Sequence, residues 1–152
     1  MEVVNPLTVR ICRVPGTVEV PLPLYKTEGA VGMDIYAANA DTVTVSAGGR
    51  AVIPTGFSIA VPDGYEAQVR SRSGLALRGI VVANSPGTVD ADYRGEVQII
   101  LANHGTDDFS VSQGDRIAQL VIAPVMQVAW EAVDELPPTT RGAGGFGHTG
   151  RH

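Results

Sequence analysis

Two stretches of this chain carry the residue types that handle phosphorylated ligands. Asn84-Ser85-Pro86-Gly87-Thr88-Val89-Asp90-Ala91-Asp92-Tyr93-Arg94-Gly95-Glu96 reads as a tight hairpin with an acid near its tip and an aromatic just beyond. A carboxylate is ionised at neutral pH and can take a proton from water, so Asp90 is a candidate general base. Asp90 and Asp92 are equally the residues that form turns. The last dozen residues, 141–152, combine five glycines with Arg141, Phe146, His148, Thr149 and Arg151. Without Cβ atoms the backbone N–H groups can approach an anion. Arg141 adds a planar fork suited to phosphate oxygens, and Phe146 a face on which a flat ring can stack. Gly-rich chain ends are also commonly disordered, so composition leaves the segment as either a tail or a lid.

Three further blocks have chemistry of their own. Arg70-Ser71-Arg72-Ser73-Gly74-Leu75-Ala76 sets two guanidiniums and two hydroxyls at the start of a short helical stretch, an arrangement that suits phosphate and equally describes an N-cap among surface arginines. Gly32-Met33-Asp34-Ile35-Tyr36-Ala37-Ala38 places one acid in an apolar strand, where a charge needs a partner or a metal-bound water. Gly114-Asp115-Arg116-Ile117-Ala118-Gln119-Leu120-Val121 places one amide in another. Asp34 and Gln119 are also readable as outward-facing strand residues.

The elements that must position these blocks are strands. Residues 7–13, 42–45 and 65–70 alternate apolar with polar, the period of a half-buried strand. Short β-rich runs at 57–61, 80–83, 97–101, 117–122 and 125–133 follow, separated by Gly, Pro, Asn and Asp clusters. Many short strands with regular turns predict an all-β sandwich, jelly roll or barrel. One helical turn or two is expected at 73–78, stopped by Gly79. Pro137-Pro138 marks a hinge between a packed body, residues 1–136, and a C-terminal arm, 137–152.

Composition limits the partners. The 152 residues make about one domain with a real core. No apolar run approaches the roughly 18 residues of a membrane span and no leader pattern opens the chain, so a soluble, cytosolic protein is expected. A net charge of −5 argues against a general nucleic-acid binder. Of the 11 cations, ten are arginine, a bias toward bidentate anion contacts that suits a small phosphorylated ligand. Cys12 is the sole cysteine and is expected to be a small buried residue of the first strand.

Taken in order, the five blocks resemble the motifs of the homotrimeric deoxyuridine triphosphatase family: 32–38; 72–76; 87–96; 114–120; and the arm from Arg141 to Gly150. The resemblance covers nearly the whole chain. It implies a distorted jelly roll, or β-clip, of short strands with one short helix and a flexible arm that closes over an active site. It implies hydrolysis of dUTP to dUMP and pyrophosphate with Mg2+, which keeps uracil out of DNA and supplies dUMP for thymidylate synthesis. By the same resemblance Asp90 would activate the water, with Gln119 beside it in the catalytic set. Arg72, Ser73, Gly74, Gln119, Arg141 and Thr149 would hold phosphates. Asn84, Thr88 and Val89 would read uracil, Tyr93 would lie under the deoxyribose, and Phe146 and Gly147 would cover the base. Asp34 would hold part of the water shell of a magnesium ion carried mainly by the triphosphate. The implied partners are dUTP and two further copies of the chain, with active sites shared between subunits, and no nucleic acid or membrane.

Three positions depart from the family's usual pattern. Ser71 stands where proline is frequent, which predicts a looser approach to the phosphate loop. Asp92 replaces a small or uncharged residue, and His148 replaces a serine. Two rival functions remain: dCTP deamination, against which Asp90 and Phe146 argue, and a non-catalytic nucleotide switch on the same trimeric fold.

Overall fold

The structure is a computed structural model that describes residues 6–151; residues 1–5 of the expected body and His152 of the expected arm lie outside the described residues. Eleven strands and one short helix follow in the order β1 (Arg10–Arg13), β2 (Met33–Tyr36), β3 (Val43–Val45), β4 (Arg50–Pro54), β5 (Phe57–Ala60), β6 (Tyr65–Arg70), α1 (Ser73–Leu77), β7 (Ile80–Val82), β8 (Gly87–Val89), β9 (Gln98–Asn103), β10 (Phe109–Val111) and β11 (Arg116–Pro124). They form a four-stranded sheet β2-β11-β6-β8, a three-stranded sheet β4-β9-β7 and the pairs β1-β5 and β10-β3. All pairings are antiparallel. The architecture is the distorted jelly roll expected. No helix among the described residues is long and apolar enough to cross a membrane.

Inward-facing side chains of the sheets close one core. Ile35, Val45, Ile53, Phe57, Ile99, Leu101, Val111, Ile117 and Leu120 are all fully buried within it. Each such aliphatic or aromatic side chain contributes about 1.5–3 kcal/mol relative to exposure. Two buried amides tie loops to this core. Asn103 donates to the carbonyls of Val45 and Asp107 and accepts from the Gly105 N–H, and Asn39 donates to those of Asp41 and Val111. Amide N–H groups paired in this way hold loop positions that apolar packing alone leaves free.

Several expectations need correction. β8 pairs with β6, and β9 pairs with β4 and β7, so residues 84–96 are not a hairpin but a crossing from one sheet to the other and back. Residues 125–133 form no strand: after the Val125 N–H donates to the Gly64 carbonyl at 2.9 Å, the chain leaves the body. Among the described residues no strand pairs with them, and Met126, Val128 and Trp130 stand exposed. Cys12 is exposed because β1 pairs only with β5 and buries none of its residues. The strands β4 and β10, which lack clear alternation in the sequence, form because each completes a sheet or pair started elsewhere.

Candidate active site

β8 lies at the edge of its sheet, with β6 as its only neighbour among the described strands. An edge strand leaves one side of its N–H and C=O groups unpaired, which is what a nucleobase edge needs in order to be read by main chain. Beside it is a cavity of about 250 Å3 lined by Asn84, Thr88, Val89, Asp90 and Tyr93. The structure thus gathers the residues expected to bind base and sugar around the candidate base. Gly87 has a steric reason to be glycine: a Cβ there would lie 3.1 Å from Asn84 Nδ2, so its absence lets the amide fold over the strand. Asp90 follows β8 directly, is exposed, and also lines a second, acidic hollow of about 900 Å3 with Asp63, Glu66 and Asp92.

The phosphate-type residues meet elsewhere. Gln119 of β11 pairs with Asp34 of β2 on one side and Arg70 of β6 on the other, a row of three polar side chains across the sheet. A β-bulge between Arg116 and Ala118 shifts the alternation of β11 by one residue, which aims Arg116 at the same row. Asp34 is 6 % exposed, and its two oxygens lie 3.4 Å from Arg72 Nε and 3.2 Å from Arg116 Nη1. Arg72 also donates to the Arg116 carbonyl at 2.9 Å. Asp34 thereby braces two arginines. Both guanidiniums also line an arginine hollow of about 560 Å3 together with Arg78, Asp108 and Asp115.

Ser73 and Gly74 begin α1 and are exposed. The first N–H groups of a helix have no intrahelical acceptor. A Cβ at Gly74 would meet nothing within 4 Å, so this chain's own packing does not demand glycine there. Gly32 differs: a Cβ there would lie 3.0 Å from Gln119 Oε1, so the glycine seats the Gln119 side chain. Ser71 is bonded on both sides, its Oγ accepting from the Val82 N–H at 2.9 Å and its N–H donating to Ser85 Oγ at 3.3 Å. The loop that proline's absence was expected to loosen is instead tied to β7 and to the base-reading segment.

The arm stands clear of the body and is held by its own turns. Arg141 Nε donates to the Gly144 carbonyl at 2.9 Å, and the His148 and Gly150 N–H groups donate to the carbonyls of Gly145 and Gly147. Arg141, Gly147, His148 and Thr149 thereby line one hollow of about 510 Å3. Phe146 has φ of 49°, uncommon for a bulky residue, and its ring is fully exposed. The cavity beside β8, the arginine hollow and the arm hollow share no lining residue. The expected site residues are thus spread over separate hollows of one chain.

The family model described as dUTPase matches residues 18–150. The chain belongs to the dUTPase family. It is 52 % identical to the deoxyuridine 5'-triphosphate nucleotidohydrolase of Anaplasma marginale (strain St. Maries), over 95 % of this chain and 99 % of that one. It is 58 % identical to the protein of that name from Syntrophotalea carbinolica, over 85 % of this chain and 88 % of that one. Its fold superposes on Staphylococcus bacteriophage 80alpha dUTPase, a structure with dUPNHPP, with a TM-score of 0.82 and 26 % identity over 94 % of this chain and 98 % of that one.

As a dUTPase the chain is a hydrolase of nucleotide metabolism that cleaves dUTP to dUMP and pyrophosphate, and Mg2+ is the family's cofactor. Among the described residues no group of three or more His, Cys, Asp or Glu side chains is placed to hold a metal. Mg2+ in general keeps several waters and is commonly bound through one or two carboxylates and substrate phosphates. Sequence reasoning missed Arg116, which shares Asp34 with Arg72, and Val52, Gln98 and Ile100, which line the cavity from the facing β4–β9 pair. Arg116 lies within a quoted block, but only the bulge aims it; nothing local in the sequence brings Val52 and Ile100 to the base-reading segment.

Proposed function

We propose that this dUTPase hydrolyses its substrate at sites assembled from several copies of the chain, with Asp90 as general base. The cavity beside β8 carries this reading, because it brings Asn84, Thr88, Val89, Asp90 and Tyr93 together next to an unpaired strand edge. Uracil enters there. Main-chain groups of Thr88 and Val89 and the Asn84 amide match its donor and acceptor pattern, and cytosine, with a donor in place of the O4 acceptor, leaves buried partners mismatched. Tyr93 lies under the deoxyribose, where it excludes a 2′-hydroxyl.

Asp90 orients a water in line with the α-phosphorus and takes its proton as the oxygen attacks. The bond to the α–β bridging oxygen breaks, and pyrophosphate leaves. Gln119 completes the catalytic set from the phosphate side. Arg72, Ser73, Gly74 and Gln119 hold phosphate oxygens and offset the charge that develops during transfer. Mg2+ carried by the triphosphate would offset the negative charge of the leaving pyrophosphate. Arg141 and Thr149 of the arm grip the far phosphate, while Phe146 and Gly147 close over the base and exclude water.

The shared site and the trimer rest on two observations. The residues of these roles lie in separate hollows of one chain, and residues 125–136 expose a run of apolar side chains, including Trp130 and Leu136, that another chain would cover. The dUPNHPP held by the phage relative supports a triphosphate nucleotide as ligand. We place the enzyme in the cytoplasm. Turnover of dUTP with magnesium by the purified protein, with dUMP and pyrophosphate identified as products, tests the reading. Asp90→Asn should lower kcat by about 10²-fold or more. Equal rates would remove Asp90 as the base, and ammonia released from dCTP would overturn the reaction type.

A further inference from the structure

Gly95 is exposed, and its φ is not in the left-handed region, so neither burial nor backbone conformation calls for glycine there. Its surroundings do. A Cβ at Gly95 would fall onto the hydroxyl of Tyr93 and within 2.7 Å of Tyr93 Cζ and 3.1 Å of Cε2. The phenol therefore lies folded back across the backbone of residue 95, where its hydroxyl donates to the Glu96 carbonyl at 3.0 Å. The start of the same turn is held by the Tyr93 N–H, which donates to the Asp90 carbonyl at 3.1 Å. Arg94 closes it from outside by donating to the carbonyls of Ala91 and Tyr93.

We infer that Gly95 is a specificity-determining residue: the missing Cβ lets the Tyr93 ring lie flat over the turn, at the height at which it admits deoxyribose and refuses ribose. The inference rests on Tyr93 being the sugar filter. Tyr93 lines the cavity beside β8 together with Glu96, so the ring's seat and the sugar's floor are one surface. Alanine at 95 cannot coexist with this ring position, since contacts under about 3.0 Å require one group to move, and the free end of a half-exposed ring moves more readily than backbone. The displaced ring opens the space that a 2′-hydroxyl needs.

The test is the ratio of kcat/KM for dUTP to that for UTP, measured on the full chain for wild type, Gly95→Ala, Tyr93→Ala and Tyr93→Phe. A merely structural defect lowers both substrates together and leaves the ratio unchanged. The expected result is a ratio lowered about tenfold or more in Gly95→Ala. Tyr93→Ala should lower it further, and Tyr93→Phe, which keeps the ring but loses its bond to Glu96, should fall between wild type and Tyr93→Ala. If Tyr93→Ala loses discrimination while Gly95→Ala keeps the wild-type ratio, the role of Gly95 is overturned and the sugar filter stands. If Tyr93→Ala keeps the ratio, the filter lies elsewhere and the inference falls with it. Should Gly95→Ala fail to fold, the double variant Gly95→Ala/Tyr93→Phe decides, because it lacks the hydroxyl that the new Cβ meets first and keeps the ring carbons it also meets: a ratio equal to that of Tyr93→Phe would overturn the role of Gly95.

Discussion

Mixing two inactivated forms of this chain, Asp90→Asn and Arg72→Ala, should restore turnover that neither has alone. Asp90 lines the cavity beside β8 and Arg72 the arginine hollow, and no residue belongs to both. If these hollows face each other across a subunit boundary, each site takes its acid from one chain and its guanidinium from another. After random reassembly from equal amounts, each contribution is intact half the time, so about one site in four is complete and activity should reach about a quarter of wild type. A second mixture sharpens the arithmetic. Wild type mixed equally with the double variant Asp90→Asn/Arg72→Ala should retain about a quarter of full activity if the two groups come from different chains, and about half if they come from the same one. The assay is pyrophosphate release after partial dissociation and reassembly, with two affinity tags to verify that chains have exchanged. Exchange without any gain over the separate variants would place Asp90 and Arg72 in one chain and refute the divided site.

Two further outcomes follow from the same geometry. Deleting residues from Arg141 onward should leave a folded assembly with severely reduced kcat, because the arm makes its hydrogen bonds internally and adds nothing to the core; circular dichroism with steady-state kinetics checks this, and an unfolded or fully active truncation would refute the lid. Asp34→Asn removes the shared anion of Arg72 and Arg116 and should raise KM for dUTP about tenfold, the equivalent of about 1.4 kcal/mol, with the magnesium requirement unchanged. An unchanged KM with a shifted magnesium requirement would instead assign Asp34 to the ion's water shell.

The sequence displays the strands with strict alternation, such as β6, because a half-buried face writes its period directly into the residues. It hides those that depend on partners far along the chain: β4 forms through its register with β9, about fifty residues away, as Val52 opposite Ile100 illustrates. The opposite failure occurs at 125–133, where the pattern reads as a strand but no partner strand lies among the described residues. The site blocks were legible as chemistry and not as geometry. Asp34 announced itself as a charge needing a partner, yet only the bulge in β11 and the β2–β11 register reveal that its partners are Arg72 and Arg116. Similarly, Gly95 looks like an ordinary turn residue until the Tyr93 ring is seen above it.

Trp130 is the only tryptophan of the chain and is 93 % exposed when the chain stands alone. In an assembly that covers the segment around it, the indole passes from water to a drier setting, and its fluorescence shifts to the blue. Trp130 would then serve as an optical gauge of association. Dilution until the emission reddens would give a dissociation constant without any label, and the concentration at which turnover fades could be compared directly with it.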